Sequence, residues 1–182
     1  MRVVITGGPC SGKTTLVQEL AARGFATVPE AAMIVIDELN QELGVEEQKV
    51  WRRSHLSEFQ TRVLRKQLEL EASVEADRGQ PVFMDRGCLD GLAYCTHFRV
   101  EPPAALLAVA EGKRYDQVFV LDTLDDFVFR SDEGRTSNQE TSVALGAALE
   151  QTYQGHGYSP IRVAAHPVAA RVDLVLSTIG TG

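Results

Sequence analysis

Two hydrophobic patterns alternate along this chain. The first is a short apolar run rich in β-branched residues, found at 2–6 (Arg-Val-Val-Ile-Thr), 25–28 (Phe-Ala-Thr-Val), 82–84 (Val-Phe-Met), 117–121 (Gln-Val-Phe-Val-Leu) and 161–163 (Ile-Arg-Val). Such runs predict strands of a parallel sheet buried on both faces. The second is a longer segment with apolar residues at helical spacing, which predicts helices over 16–23, 31–39, 46–53, 54–77, 89–97, 102–110, 141–154 and 168–178. In 54–77 the stripe is Leu56, Phe59, Val63, Leu64, Leu68, Ala72 and Ala76. Gly24 stands where a helix C-terminal glycine belongs, Pro29-Glu30 and Gly44 interrupt, and Arg78-Gly79-Gln80-Pro81 stops the longest helix. Strands alternating with helices predict an α/β fold in which a five-stranded parallel sheet is covered on both faces. No linker or repeat divides the chain, so 1–182 reads as one domain. Residues 127–138, rich in Arg, Ser and Asp, read as a lid-like polar loop.

The join between the first strand and the first helix carries the chemistry. Gly7-Gly8-Pro9-Cys10-Ser11-Gly12-Lys13-Thr14-Thr15 matches G-x-x-x-x-G-K-[ST] at every fixed position, between a strand and a helix as that motif requires. Loop glycines let the backbone approach a phosphate chain closely. Successive N–H groups then form an anion nest at the positive end of the helix. Lys13 supplies a charge for the β- and γ-phosphates, and the Thr14 hydroxyl is placed to ligate Mg²⁺.

In a parallel sheet, ligands gather beyond the carboxyl ends of the strands. Gly7, Glu30 and Asp85 fall at or just after such ends. Asp85 reads either as part of a metal shell with Thr14 or as a helix N-cap. Glu30 reads either as the acceptor of a substrate hydroxyl proton or as a first-turn glutamate favoured by the helix dipole. Arg86 can reach a transferring phosphate. Arg130 and Arg135, in the polar loop, can close over a nucleotide and neutralise developing charge. Asp90 and Tyr94, four residues apart on one helix face, read either as part of an acceptor pocket or as core or surface packing. The four histidines have no metal-ligand spacing.

Composition narrows the picture further. The formal net charge of −7 argues against a broad nucleic-acid footprint. Arg52, Arg53, Arg62, Arg65 and Lys66 cluster, and read as a solvated helix face balanced by Glu58, Glu69 and Glu71. Trp51 reads as packing. Three cysteines form neither a disulfide framework nor a zinc pattern, and Cys88 and Cys95 read as small core residues. No apolar run has membrane-spanning length. Met1-Arg2 leads straight into a strand, which reads as the absence of a secretory leader and, with the free thiols, as a cytoplasmic protein.

The Gly7–Thr15 loop, Val28-Pro29-Glu30-Ala31-Ala32, Asp85-Arg86-Gly87-Cys88-Leu89-Asp90 and the 130–135 loop come in an order that resembles a known family. This is the small P-loop "AAA domain" ATPase/kinase family related to the ribosylnicotinamide kinase domain of the bacterial NAD regulator. More distantly, the layout is similar to nucleoside and nucleotide kinases. The resemblance implies a three-layer α/β/α core, ATP with Mg²⁺, Glu30 or Asp85 as the base that activates an acceptor hydroxyl, and Arg86, Arg130 and Arg135 as phosphate clamps. Ribosylnicotinamide kinase-like members tend to have an arginine three residues after the glutamate, where this chain has Met33. Two functions follow as expectations. One is a kinase moving the ATP γ-phosphate to the hydroxyl of a small nucleoside-like molecule; the other is a nucleotide-dependent switch with slow ATP or GTP hydrolysis.

Overall fold

The computed structural model describes residues 1–74, 79–112, 114–124 and 139–181. Five strands form one sheet: β1 (Arg2–Gly7), β2 (Ala26–Val28), β3 (Val82–Asp85), β4 (Gln117–Leu121) and β5 (Ile161–Val163). All pairings are parallel, in the order β2-β3-β1-β4-β5. Eight helices are described: α1 (Lys13–Ala22), α2 (Ala31–Leu43), α3 (Val45–Ser54), α4 (Leu56–Ser73), α5 (Asp90–His97), α6 (Ala104–Ala110), α7 (Gln139–Gly155) and α8 (Val168–Thr178).

Alternate side chains of each strand point to opposite faces, and both faces are apolar. On one face Val3, Ile5, Phe83, Phe119 and Leu121 pack against Leu16 and Leu20 of α1 and Val172 and Val175 of α8. On the other, Val4, Met84, Val118 and Val120 meet Leu64 of α4, Leu92 of α5, Leu106 of α6 and Tyr153 of α7. Each fully buried leucine or phenylalanine here contributes roughly 1.5–3 kcal/mol of burial free energy. A satellite cluster of Val35, Ile36, Leu39 and Phe59 joins α2 to α4 beside the sheet. The sheet, its covered faces and the strand positions match the α/β expectation.

Some boundaries differ, for local reasons. The helix expected over 54–77 is broken at His55 (φ −125°, ψ 41°). Ser54 donates its hydroxyl to the Val50 and Trp51 carbonyls (3.1 and 3.2 Å), competing with the helix for them. Ser54 therefore closes α3, and α4 starts at Leu56; the expected residues 75–77 lie outside the described ones. Helix α1 starts at Lys13 rather than 16, directly on the glycine loop, and α2 runs on to Leu43, where Gly44 (φ 95°) separates it from α3. Trp51 packs as expected, stacked on His55 and under the Arg62 guanidinium.

The solvated charge face is only half correct. Arg62 pairs with Glu42 and Glu58, and Lys66 with Glu38 and Glu69, at the surface. Glu71 instead turns inward and is buried. It accepts from Gln67 Nε2 (3.1 Å), Tyr115 Oη (2.8 Å), Arg2 Nη1 (3.0 Å) and Arg114 Nη2 (3.2 Å). Burial next to this carboxylate pushes the Cys88 thiol up to about 12. Cys88 and Cys95 are buried, as expected.

Candidate active site

The segment Gly8–Gly12 bridges the end of β1 and the start of α1. Gly12 caps α1 in the left-handed region (φ 77°), and a Cβ there would sit 2.7 Å from Arg171 Nη2. At Gly8 a Cβ would collide with the Ser142 carbonyl. The glycines thus admit two distant helices against the loop. Arg171 of α8 donates through Nη1 to the Ser11 carbonyl (2.7 Å). Ser142 of α7 donates to the Pro9 carbonyl. Lys13 is 3% exposed, and its ammonium donates to the Gly8 carbonyl (2.7 Å) and Ser11 Oγ (3.2 Å). Cys10 holds φ 57°, and Thr14 and Thr15 open α1 at the surface.

Asp85 ends β3 beside Ile5 of β1, which puts its carboxylate at the tip of the sheet next to the loop. Thr14 donates to Asp85 Oδ2 (2.7 Å). Asp85 Oδ1 is buried with no hydrogen-bond partner among the described residues. Burial, then the neighbouring Glu30, raises the Asp85 pKa against the pull of Lys13, Arg86 and the Thr14 hydroxyl. Asp85 caps no helix, since α5 begins only at Asp90. A hydroxyl and an unsatisfied carboxylate oxygen beside a phosphate-binding loop suit a hard divalent cation. Among the described residues no three His, Cys, Asp or Glu side chains gather around a point, so such a cation would draw its remaining ligands from nucleotide and water.

Arg86 follows at φ 77°, a strained conformation for a non-glycine residue. Its N–H bonds to the Ile5 carbonyl (3.0 Å), and Gln67 donates to its carbonyl (3.4 Å). Its guanidinium donates to Glu30 Oε1 (2.9 Å), Asp90 Oδ2 (3.2 Å) and the Gly7 carbonyl (3.3 Å), and lies 5.6 Å from the Tyr94 ring centre. Burial opposes the Arg86 charge, but Tyr94, Glu30, Asp90 and Asp85 outweigh it and hold its pKa well above the ordinary value. Glu30 occupies the N-cap position of α2, yet makes no side-chain cap bond; its carboxylate turns to Arg86 instead.

Asp90 is engaged on both oxygens. Thr6 (2.6 Å) and Arg86 donate to Oδ2, and Tyr153 Oη (2.8 Å) and the Gly87 N–H (3.3 Å) donate to Oδ1. Next to Glu30, Arg86 and Pro9 opens a cavity of about 390 Å³, walled by residues of α2, α3, α4 and α5 that include Met33, Phe59, Gln60, Val63 and Tyr94.

The structure therefore brings Lys13, Thr14, Glu30, Asp85, Arg86, Asp90 and Tyr94 into one neighbourhood. Arg130 and Arg135 lie outside the described residues. Sequence reasoning missed Thr6, Gln67, Ser142, Tyr153 and Arg171. Two of these left a trace: Arg171 sits within the apolar stripe Val168, Val172, Val175, and Ser142 on the buried stripe Leu145, Leu149, Tyr153.

A strand, a glycine loop and a lysine-bearing helix, with a carboxylate on the neighbouring strand tip, define the P-loop nucleotide-binding class. More particularly, the chain belongs to the family described as AAA domain, which matches residues 2–171. No curated protein sequence matches it. Solved structures share the fold. Deoxyadenosine kinase from M. mycoides with bound dATP is 16% identical, with a TM-score of 0.66, covering 99% of this chain and 100% of that one. The NadR protein in complex with NAD and AMP-PNP is 19% identical at TM-score 0.65; all of this chain aligns to half of that one. Thymidylate kinase from Candida albicans is 14% identical at TM-score 0.61, covering 99% of this chain and 91% of that one. Among the described residues no helix is long and apolar enough to cross a membrane.

Proposed function

We propose that this protein is a magnesium-dependent small-molecule kinase that moves the γ-phosphoryl group of ATP to a hydroxyl of a nucleoside-like acceptor. One observation carries the reading: Glu30 is held against Arg86 where the phosphate loop opens into an apolar cavity. A plain nucleotide holder has no use for a carboxylate and an arginine at the mouth of a second pocket. The kinase folds of the structural neighbours agree with it. Three free cysteines suit a reducing cytoplasm.

The division of labour follows from position. Loop amides and Lys13 bind the triphosphate, with the Lys13 ammonium exchanging the Gly8 carbonyl for phosphate oxygens. Thr14 and Asp85 hold Mg²⁺, which neutralises phosphate charge when bound. Glu30 lines the cavity and Asp85 does not, so Glu30 takes the proton. As it leaves the acceptor hydroxyl, that oxygen bonds to the γ-phosphorus, the bond from the γ-phosphorus to the β–γ bridging oxygen breaks, and ADP departs. Arg86 stabilises charge on the transferring group. Asp90, fixed by Thr6 and Tyr153, positions Arg86, while Tyr94 lies in the acceptor wall. Arg130 and Arg135 add phosphate clamps in this proposal.

Replacing Glu30 with Gln tests it. The amide keeps a bond to Arg86 and cannot take the proton. Transfer from labelled ATP to a nucleoside panel is expected to fall about 10²–10⁴-fold in kcat, with nucleotide affinity preserved. Wild-type protein that releases phosphate slowly and transfers none would favour the switch reading; full transfer by Glu30→Gln would remove the base.

A further inference from the structure

The acceptor cavity has a reacting end and a far end, and their charges differ. Helix α4 supplies the scale. Gln67 is bonded to the Arg86 carbonyl at the reacting end. Eight residues earlier Phe59 carries the Arg52 guanidinium, 5.5 Å from its ring centre. At the α-helical rise of 1.5 Å per residue, these levels are about 12 Å apart. Val63 and Gln60 line the wall between them.

Among the described residues the two acids that line the cavity, Glu30 and Asp90, both sit at the reacting end and both pair with Arg86 (2.9 and 3.2 Å). Among the described residues the charged side chains lining the far end are Lys49, Arg52 and Arg53, all positive, and Lys49 pairs with Glu46 on its own helix (2.7 Å). The acids expected to balance this stretch are committed elsewhere: Glu58 to Arg62, Glu69 to Lys66, and Glu71 to the buried cluster with Arg2 and Arg114. Arg52 is half-buried and its Nε donates to Gln48 (2.6 Å), which fixes the guanidinium in the wall. Burial, and then the Arg53 charge beside it, lowers the Arg52 pKa. A bound anion would relieve both costs.

We propose that the acceptor carries a compact anionic group at the end remote from its phosphorylated hydroxyl, and that Arg52 and Arg53, with Lys49, form the subsite that reads it. The substrate class is then a hydroxylated small acid with an apolar or planar middle, rather than a neutral nucleoside. This inference rests on the kinase reading above.

Matched acceptors separate the two claims. Pantothenate and panthenol form one pair, 5-carboxyuridine and 5-carbamoyluridine another; within each pair the members differ mainly in one negative charge. With labelled ATP and Mg²⁺, the anionic member of at least one pair is expected to show a KM about ten-fold below that of its neutral partner, as charge-assisted bonds predict. Arg53→Gln and Arg52→Gln are expected to bring that ratio close to one, while Arg53→Lys keeps most of it. Raising salt to about 0.5 M should compress the ratio in wild type. Calorimetric titration of the same compounds, with ADP and Mg²⁺ present, gives a readout that needs no turnover, and melting curves show that the variants fold. If no compound is phosphorylated but an anionic member binds in an Arg53-dependent way, the kinase reading falls and the subsite stands. Equal affinities within both pairs, no binding of either anionic member, or an Arg53→Gln loss equal for both members of a pair overturns the subsite.

Discussion

Among the described residues Glu71, Asp85 and Asp90 are buried carboxylates, and the first two do opposite things with their burial. Glu71, in the last turn of α4, meets Arg2 at the start of β1 and Arg114 and Tyr115 before β4; both of its oxygens accept bonds. Asp85, at the carboxyl tip of β3, accepts from Thr14 on one oxygen and leaves the other buried without a partner among the described residues. Glu71 is a completed network that joins a helix to the entering ends of two strands. Asp85 is an incomplete one, and in the proposed function a bound cation would finish it. Burial of charge alone does not mark a site; unfinished coordination beside a phosphate-binding loop does.

Substituting each acid by its amide should split stability from activity. Glu71→Gln leaves two arginines facing a group that cannot balance them. It is expected to cost roughly 3–5 kcal/mol of unfolding free energy, read by urea denaturation, with kcat of the folded fraction nearly unchanged. Asp85→Asn is expected to reduce phosphoryl transfer about 10²–10³-fold while the melting temperature of the nucleotide-free protein holds or rises. Both variants losing stability equally would erase the distinction.

A smaller effect sharpens it through pH. The Asp85 pKa is raised in the fold, so the folded protein holds this proton more tightly than the unfolded chain does. Its contribution to stability is therefore full below the ordinary carboxylate value and is lost as pH rises through the raised value. Nucleotide-free wild type should fall behind Asp85→Asn across that window by about 1.4 kcal/mol for each unit the pKa is raised. Urea titrations of both proteins at stepped pH measure it, and parallel stability profiles would contradict it.

The fold was legible because its three central strands are buried on both faces and carry apolar runs, and because the glycine loop marks the join of the first strand and first helix, although that helix begins at Lys13 and not at 16. The strand tips carrying Glu30 and Asp85 were legible for the same reason. What could not be read was whatever depends on contacts far apart in the chain. Glu71 looked like a surface charge because nothing local shows that Arg2 and Arg114 converge on it. Asp90 looked like a pocket residue, and its partners Thr6 and Tyr153 come from the first strand and from α7. The break at His55 is local, yet a serine hydroxyl bonding back to the preceding turn leaves the hydrophobic period almost intact. Arg52 and Arg53 belong to a cavity wall only once α3 is laid against α4.

The grip of Ser142 and Arg171 on the phosphate loop sets an order of events during synthesis. The loop emerges from the ribosome well before the hydroxyl and guanidinium that tie down its carbonyls, which follow their partners by 133 and 160 residues. A nascent polypeptide that already displays the glycines and the lysine still lacks the braces that shape them, so tight nucleotide capture waits until α8 has been translated and docked.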